Sequence, residues 1–116
     1  MKNFLAIFIG SPQSMDRWTA LPDADRQART AKGIGEWQAW AERNKSSIVS
    51  MGSPLGKTKS ISPSGIADIR NSMGAYTVVQ AENHAAAAAL FAGHPHFTVF
   101  PGDSIEVMEC LPLPGM

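Results

Sequence analysis

Cysteine is almost absent from this 116-residue chain: Cys110 stands alone. That excludes an internal disulfide and, with no signal-peptide pattern at the start, predicts a reducing compartment, the cytoplasm. Charge of either sign is never in excess. Ten lysines and arginines balance ten aspartates and glutamates, and no block of like charges occurs. Nucleic acid is therefore a poor partner, because phosphate binding needs clustered positive charge. Long apolar runs are missing from the N-terminal region. Phe4 to Ile9 has six apolar residues before Gly10, Ser11 and Pro12. That is too short for a signal-peptide core and far short of a membrane span.

What is present reads as one domain, residues 1–116, with an ordinary apolar share of 44%. Phe4 to Ile9 is apolar at every position rather than at alternate ones, which predicts a strand covered on both faces. Helices of the same chain can cover one face; a second subunit is the simplest cover for the other. Gly10 to Pro22 reads as a connection carrying Trp18. Asp23 caps a helix running to about Lys45. Its small residues Ala24, Ala28, Ala31, Ile34, Gly35 and Ala41 form one narrow face, with Trp37 at the edge and Trp40 off it. Gly33 and Gly35 each weaken this helix by about 1 kcal/mol relative to alanine, which predicts a close backbone approach or a kink.

Ser46 to Gly52 reads as a second strand. Residues 53–73 are irregular, interrupted by Pro54, Gly56, Pro63 and Gly65. Leu55 to Ser62 is a candidate hairpin strand, and Ile66 and Ile69 predict that Gly65 to Ser72 tucks down. Tyr76 to Ala81 is the next strand. Asn83 caps an alanine helix, Ala85 to Ala92, which Gly93 and Pro95 terminate. Phe97 to Phe100 is read as extended. Ile105 to Cys110 is the last strand, with Ile105 and Val107 on one face and Glu106, Met108 and Cys110 on the other. Residues 111–116 form a proline-rich tail. The order β-α-β-(β)-β-α-β predicts an α+β, ferredoxin-like antiparallel sheet with both helices on one face.

Several features together resemble a known family. They are Gly74-Ala75-Tyr76, the strand end Gln80-Ala81-Glu82, the alanine helix, the proline turn and Ile105-Glu106-Val107-Met108. The tryptophans of the first helix and the Met51-Gly52 turn fit the same pattern. The chain resembles the YCII-related proteins, including their DGPF subgroup, over residues 2–110. The resemblance implies a homodimer whose two sheets face each other as an α+β barrel. Some members carry a histidine on the first helix, paired with an aspartate and proposed as a catalytic dyad. Here the matching stretch is Gly33-Ile34-Gly35-Glu36-Trp37, without histidine, and the Asp-Gly-Pro-Phe motif is also absent.

The candidate chemistry is sparse. His94 and His96 flank Pro95; an H-x-H pair can ligate a metal or contact a ligand, or simply build a turn. No cysteine or carboxylate lies near enough in sequence to complete a metal site, so no metal and no cofactor is expected. Glu36 beside Trp37 is either a desolvated general base or a solvated glutamate on the polar helix face. Glu106 either points into the dimer cavity or pairs with a cation at the sheet edge. His94, His96, Glu36 and Glu106 are the catalytic candidates. Trp18, Trp37, Met51, Asp68 and Met108 are the ligand-binding candidates; the tryptophans can equally serve as core and interface. Cys110 reads as a buried strand residue. Gly52 to Thr58 has the wrong spacing and context for a phosphate loop. Two functions fit. One is a small-molecule binding protein, or cofactor-free lyase- or isomerase-type enzyme, using a cavity between the sheets of the dimer. The other is a non-catalytic assembly or regulatory module.

Overall fold

A computed structural model describes residues 1–115; Met116, the last residue of the expected tail, lies outside them. The elements are β1 (Lys2–Ile9), α1 (Pro12–Thr19), α2 (Asp23–Arg43), β2 (Ile48–Pro54), β3 (Thr58–Ser62), β4 (Gly65–Ile69), β5 (Met73–Ala81), α3 (His84–Ala89), α4 (Pro95–Thr98) and β6 (Ser104–Glu109). The main sheet has the order β2-β5-β1-β6 with every neighbouring pair antiparallel. It is a mixed α+β fold consistent with a ferredoxin-like arrangement. No described helix is long and apolar enough to cross a membrane.

The apolar run of β1 splits by pleat. Phe4, Ala6 and Phe8 are buried, while Leu5, Ile7 and Ile9 are only half-buried on the opposite face. The first set meets Val79 and Ala81 of β5, Trp40 of α2, and Ala87 and Phe91, and these form the core. Pairing register puts Tyr76, Val78, Glu106 and Met108 on the other face, beside Leu5 and Ile7. Among the described residues no helix packs there, so that face is bare.

Local chemistry explains where the elements depart from the sequence reading. The expected connection Gly10–Pro22 contains a helix, because Ser11 caps it through Ser14 N–H and Pro12 occupies a first-turn position. Of the stretch Phe97–Phe100, read as extended, Phe97 and Thr98 close the short helix α4 and Val99 and Phe100 follow it without strand structure. There His94 caps and Pro95 opens the turn. Asn83 does cap α3, accepting from Ala86 N–H at 2.8 Å.

On α2 the buried residues are Gly33 and Trp40, whereas Ala24, Ala28, Ala31, Ile34 and Gly35 are exposed. The small-residue stripe is therefore not the packing face. The bulky indole of Trp40 reaches the core and its Nε1–H donates to Leu90 C=O at 2.8 Å. Gly33 does mark a close approach: a Cβ there would sit 2.2 Å from Phe100 Cζ, whereas nothing lies within 4 Å of one at Gly35.

The segment 58–69 is a regular hairpin, but it does not tuck down. Ile66 is 70% exposed and Ile69 45%. Cys110 lies just past β6 and is exposed, not buried.

Candidate functional site

A cavity of about 550 Å³ opens between the helices and the C-terminal end of β1. Its walls come from Phe8 and Gly10, from Met15 and Trp18 of α1, from Ile34, Trp37 and Gln38 of α2, from residues 51–54 of β2 and 74–76 of β5, and from His96 with Phe100 to Gly102. The cavity exists because aromatic rings hold the helices away from this end of the sheet. Phe100 packs against Trp18 and Trp37 with centroids 6.0 Å apart in each case, and Phe8 meets Trp37 at 4.8 Å. The β1–β5 register also shifts between Phe8 and Ile9, just where the cavity opens.

The wall is mostly apolar; Gln38, Ser53, Tyr76 and His96 are its polar residues. The Nε2 of His96 lies 2.9 Å from Ile9 C=O and 3.0 Å from Ser104 C=O. Both carbonyls only accept, so Nε2 carries the proton in the neutral ring. The lone pair therefore resides on Nδ1, which has no partner among the described residues. Gly102 lies against the same ring. A Cβ at that position would come within 2.3 Å of Cε1 and Nε2.

His94 is placed behind this wall rather than on it. It is fully buried, and its Nδ1 accepts from His96 N–H at 3.0 Å. Its Nε2 is the buried side-chain polar atom without a hydrogen-bond partner among the described residues. The ring packs in T-shaped fashion with Trp37 and Trp40, at centroid distances of 4.4 and 4.7 Å. Burial, and then the neighbouring His96, lower its pKa to about 4.

A polar latch closes one side. Asp103 accepts from Ser14 Oγ–H at 2.6 Å and from Ser11 N–H, and Arg17 donates to Ser14 Oγ at 3.0 Å. These hydrogen bonds, Ser14 foremost, hold the Asp103 carboxyl down at about 2. The latch ties α1, which supplies Met15 and Trp18, to the Phe100–Gly102 strip. Asp103 and Ser14 do not stand out in the sequence, because the residues are 89 positions apart.

Of the sequence candidates, the structure brings Trp18, Trp37, Met51 and His96 to one cavity. It leaves the others apart. Glu36 is half-buried on α2 but does not line the cavity. Glu106 and Met108 lie on the bare sheet face, because both alternate away from Ile105 and Val107. Asp68 sits on the exposed hairpin, paired with Lys59 at 2.6 Å rather than folded over a cavity. The cavity itself lies between sheet and helices, not on the face where a second sheet would pack. Among the described residues no group of three histidine, cysteine or acidic side chains could hold a metal ion.

The sequence matches no protein-family model and no curated protein. Among solved structures it is similar to the 5-chloro-2-hydroxyhydroquinone dehydrochlorinase of Burkholderia phenoliruptrix, determined in complex with 2,5-dihydroxybenzoquinone. The two share 18% identity over 90% of this chain and 89% of that one, with a TM-score of 0.50. The likeness is one of fold.

Proposed function

We propose that this chain is a YCII-like small-molecule binding protein whose ligand occupies the cavity between α2 and the sheet. One observation carries the reading: His96 lines a largely apolar cavity of about 550 Å³ and keeps one ring nitrogen, Nδ1, without a hydrogen-bond partner among the described residues. That volume falls within the ordinary range for drug-sized ligands, and a few fixed polar groups on apolar walls are what such sites use.

The wall chemistry narrows the class. Phe8, Trp18, Trp37 and Phe100 favour a flat ring, by stacking or edge contacts. A neutral His96 accepts at Nδ1, so the ligand should donate an O–H or N–H there. No lysine or arginine lines the cavity, so a carboxylate would lose hydration without gaining a partner. A neutral phenol or enol fits best. The ring-shaped ligand of the dehydrochlorinase is in keeping with this class.

The same nitrogen could take the hydroxyl proton of a bound enol and return it to the enol carbon, which leaves the keto tautomer and the free base, the single-base chemistry of an isomerase. His96 would act without Glu36, Glu106 or a cofactor. The dimer belongs to this reading too. Leu5, Ile7, Tyr76, Val78 and Met108 make the bare sheet face apolar, and a second copy would cover it.

Titration with simple phenols and the matching benzoates, followed by tryptophan fluorescence, tests the reading. Phenols should saturate the signal and benzoates should not. Ile34→Trp, at the exposed rim, should abolish the phenol response while leaving the fold intact. Absence of saturable binding by either class would contradict it.

A further inference from the structure

The hairpin β3–β4 buries little among the described residues of its own chain. Every residue of β4 is exposed, and Ile61 and Ile66 are 74% and 70% exposed. These two residues oppose each other in the register and share a face, next to the pair Lys59 and Asp68. Leu55 and Met73, at its root, are exposed as well. An isolated two-stranded hairpin is at best marginally stable in water. This one buries little apolar surface among the described residues of its own chain, so something else must supply it.

The shape of the chain gives the scale of what is missing. Its radius of gyration is 16.1 Å, against about 13 Å for a compact domain of this length. Its accessible surface is 7760 Å², roughly 1,600 Å² more than a folded monomer of 12.4 kDa normally exposes. Doubled over two copies, that excess reaches the size of obligate dimer interfaces, which run from about 2,000 Å² upward. The charges agree in sign. Lys57 and Arg70 flank the hairpin without an ion pair among the described residues. Glu106, on the bare sheet face, is likewise unpaired there.

We propose that the hairpin is an intersubunit arm: its Ile61–Ile66 face packs on a second copy of this chain, reciprocally across a two-fold axis. The inference rests on the dimer reading above and adds to it which segment reaches across. Lys57 and Arg70 at the arm's root then approach the acidic side chain of the partner's bare face. A formal net charge of zero puts no overall repulsion in the way of self-association.

Sedimentation equilibrium of the wild-type chain and of the Ile61→Glu/Ile66→Glu double variant tests this. The arm lies outside the chain's own core, so circular dichroism of the variant should match the wild type. The expected result is a wild-type dimer whose dissociation constant rises at least a hundredfold in the variant. Hydrogen exchange of residues 58–69 gives a reading that needs no substitution: these amides should be protected in the dimer and lose protection on dilution. A wild-type dimer with an unchanged variant constant, or with unprotected arm amides, overturns the arm and leaves the dimer standing. A wild-type monomer overturns both. Neither result bears on phenol binding, which uses a cavity within one chain.

Discussion

Gly102 lies directly against the imidazole of His96, so close that a methyl group at position 102 would overlap Cε1 and Nε2 at 2.3 Å. The ring is gripped on that side and by the carbonyls of Ile9 and Ser104. Gly102→Ala should push the ring off both carbonyls. Overpacking of this kind typically destabilises by about 1–3 kcal/mol. Chemical denaturation should show that loss. Nitrogen NMR should show that His96, held as the Nε2–H tautomer in the wild type, loses that preference. An alanine variant with wild-type stability and tautomer would mean that the glycine does not position the ring.

Gly33 and Gly35 form an internal control on one helix. Alanine at Gly35 meets open space and should stabilise by about 0.5–1 kcal/mol through helix propensity. Alanine at Gly33 meets the Phe100 ring, so the same propensity gain is opposed by overpacking of about 1–3 kcal/mol. Thermal unfolding should move up for Gly35→Ala and down for Gly33→Ala. Upward shifts in both would contradict the Phe100 contact.

His94 sets an acid limit. Its folded pKa, lowered from 6.5 to about 4, means that between these values the unfolded chain binds the proton and the folded chain does not. Stability should therefore rise with pH through that window and fall as pH drops from 6.5 toward 4. The slope approaches about 1.4 kcal/mol per pH unit. His94→Leu should lose this slope. Asp103 acts lower, because its stabilisation is present above 3.8 and is lost as pH falls toward about 2. Urea midpoints measured at close pH intervals would separate the two, and an identical slope in His94→Leu would exclude His94 as the cause.

The latch predicts a local effect. Asp103→Ala removes the acceptor of Ser14 Oγ–H and Ser11 N–H, and leaves buried Ser14 without that partner. Ser14 Oγ keeps Arg17 and Ser11 Oγ as neighbours, so the cost is one lost hydrogen bond rather than a stranded hydroxyl. The loosened segment is α1, so Trp18 should become more accessible to acrylamide while Trp40 does not. Unchanged quenching would show that α1 is held by its aromatic contacts alone.

The order of the four main-sheet strands and of α2 and α3 was legible because it follows from local signals, whereas α1 and α4 were not legible as helices. Asn83, Gly93, Pro95 and the unbroken run of β1 act through neighbours in sequence. The packing face of α2 was not legible. Its alanines follow helical spacing, yet the sheet lies under Trp40 and Gly33, and which stripe is covered depends on where the sheet ends. Ser14 and Asp103 meet across 89 residues, and the carbonyls that fix His96 are backbone groups, which carry no sequence signature. His96 was singled out as half of an H-x-H pair, but the two rings have separate surroundings, one in a cage of tryptophans and one on the cavity wall. Glu106 and Asp68 drew notice as acids near apolar residues; register and hairpin geometry place them on the bare sheet face and the exposed arm.

That a ligand meets His96 in the cavity is tested most directly by selective nitrogen labelling of the three histidines, with a neutral phenol titrated in. The expected result is a saturable shift of His96 Nδ1 with Nε2 still protonated, no direct effect on His84, and loss of the response in Ile34→Trp. A phenol that binds while His96 Nδ1 stays unmoved, or that shifts His84 instead, would contradict it.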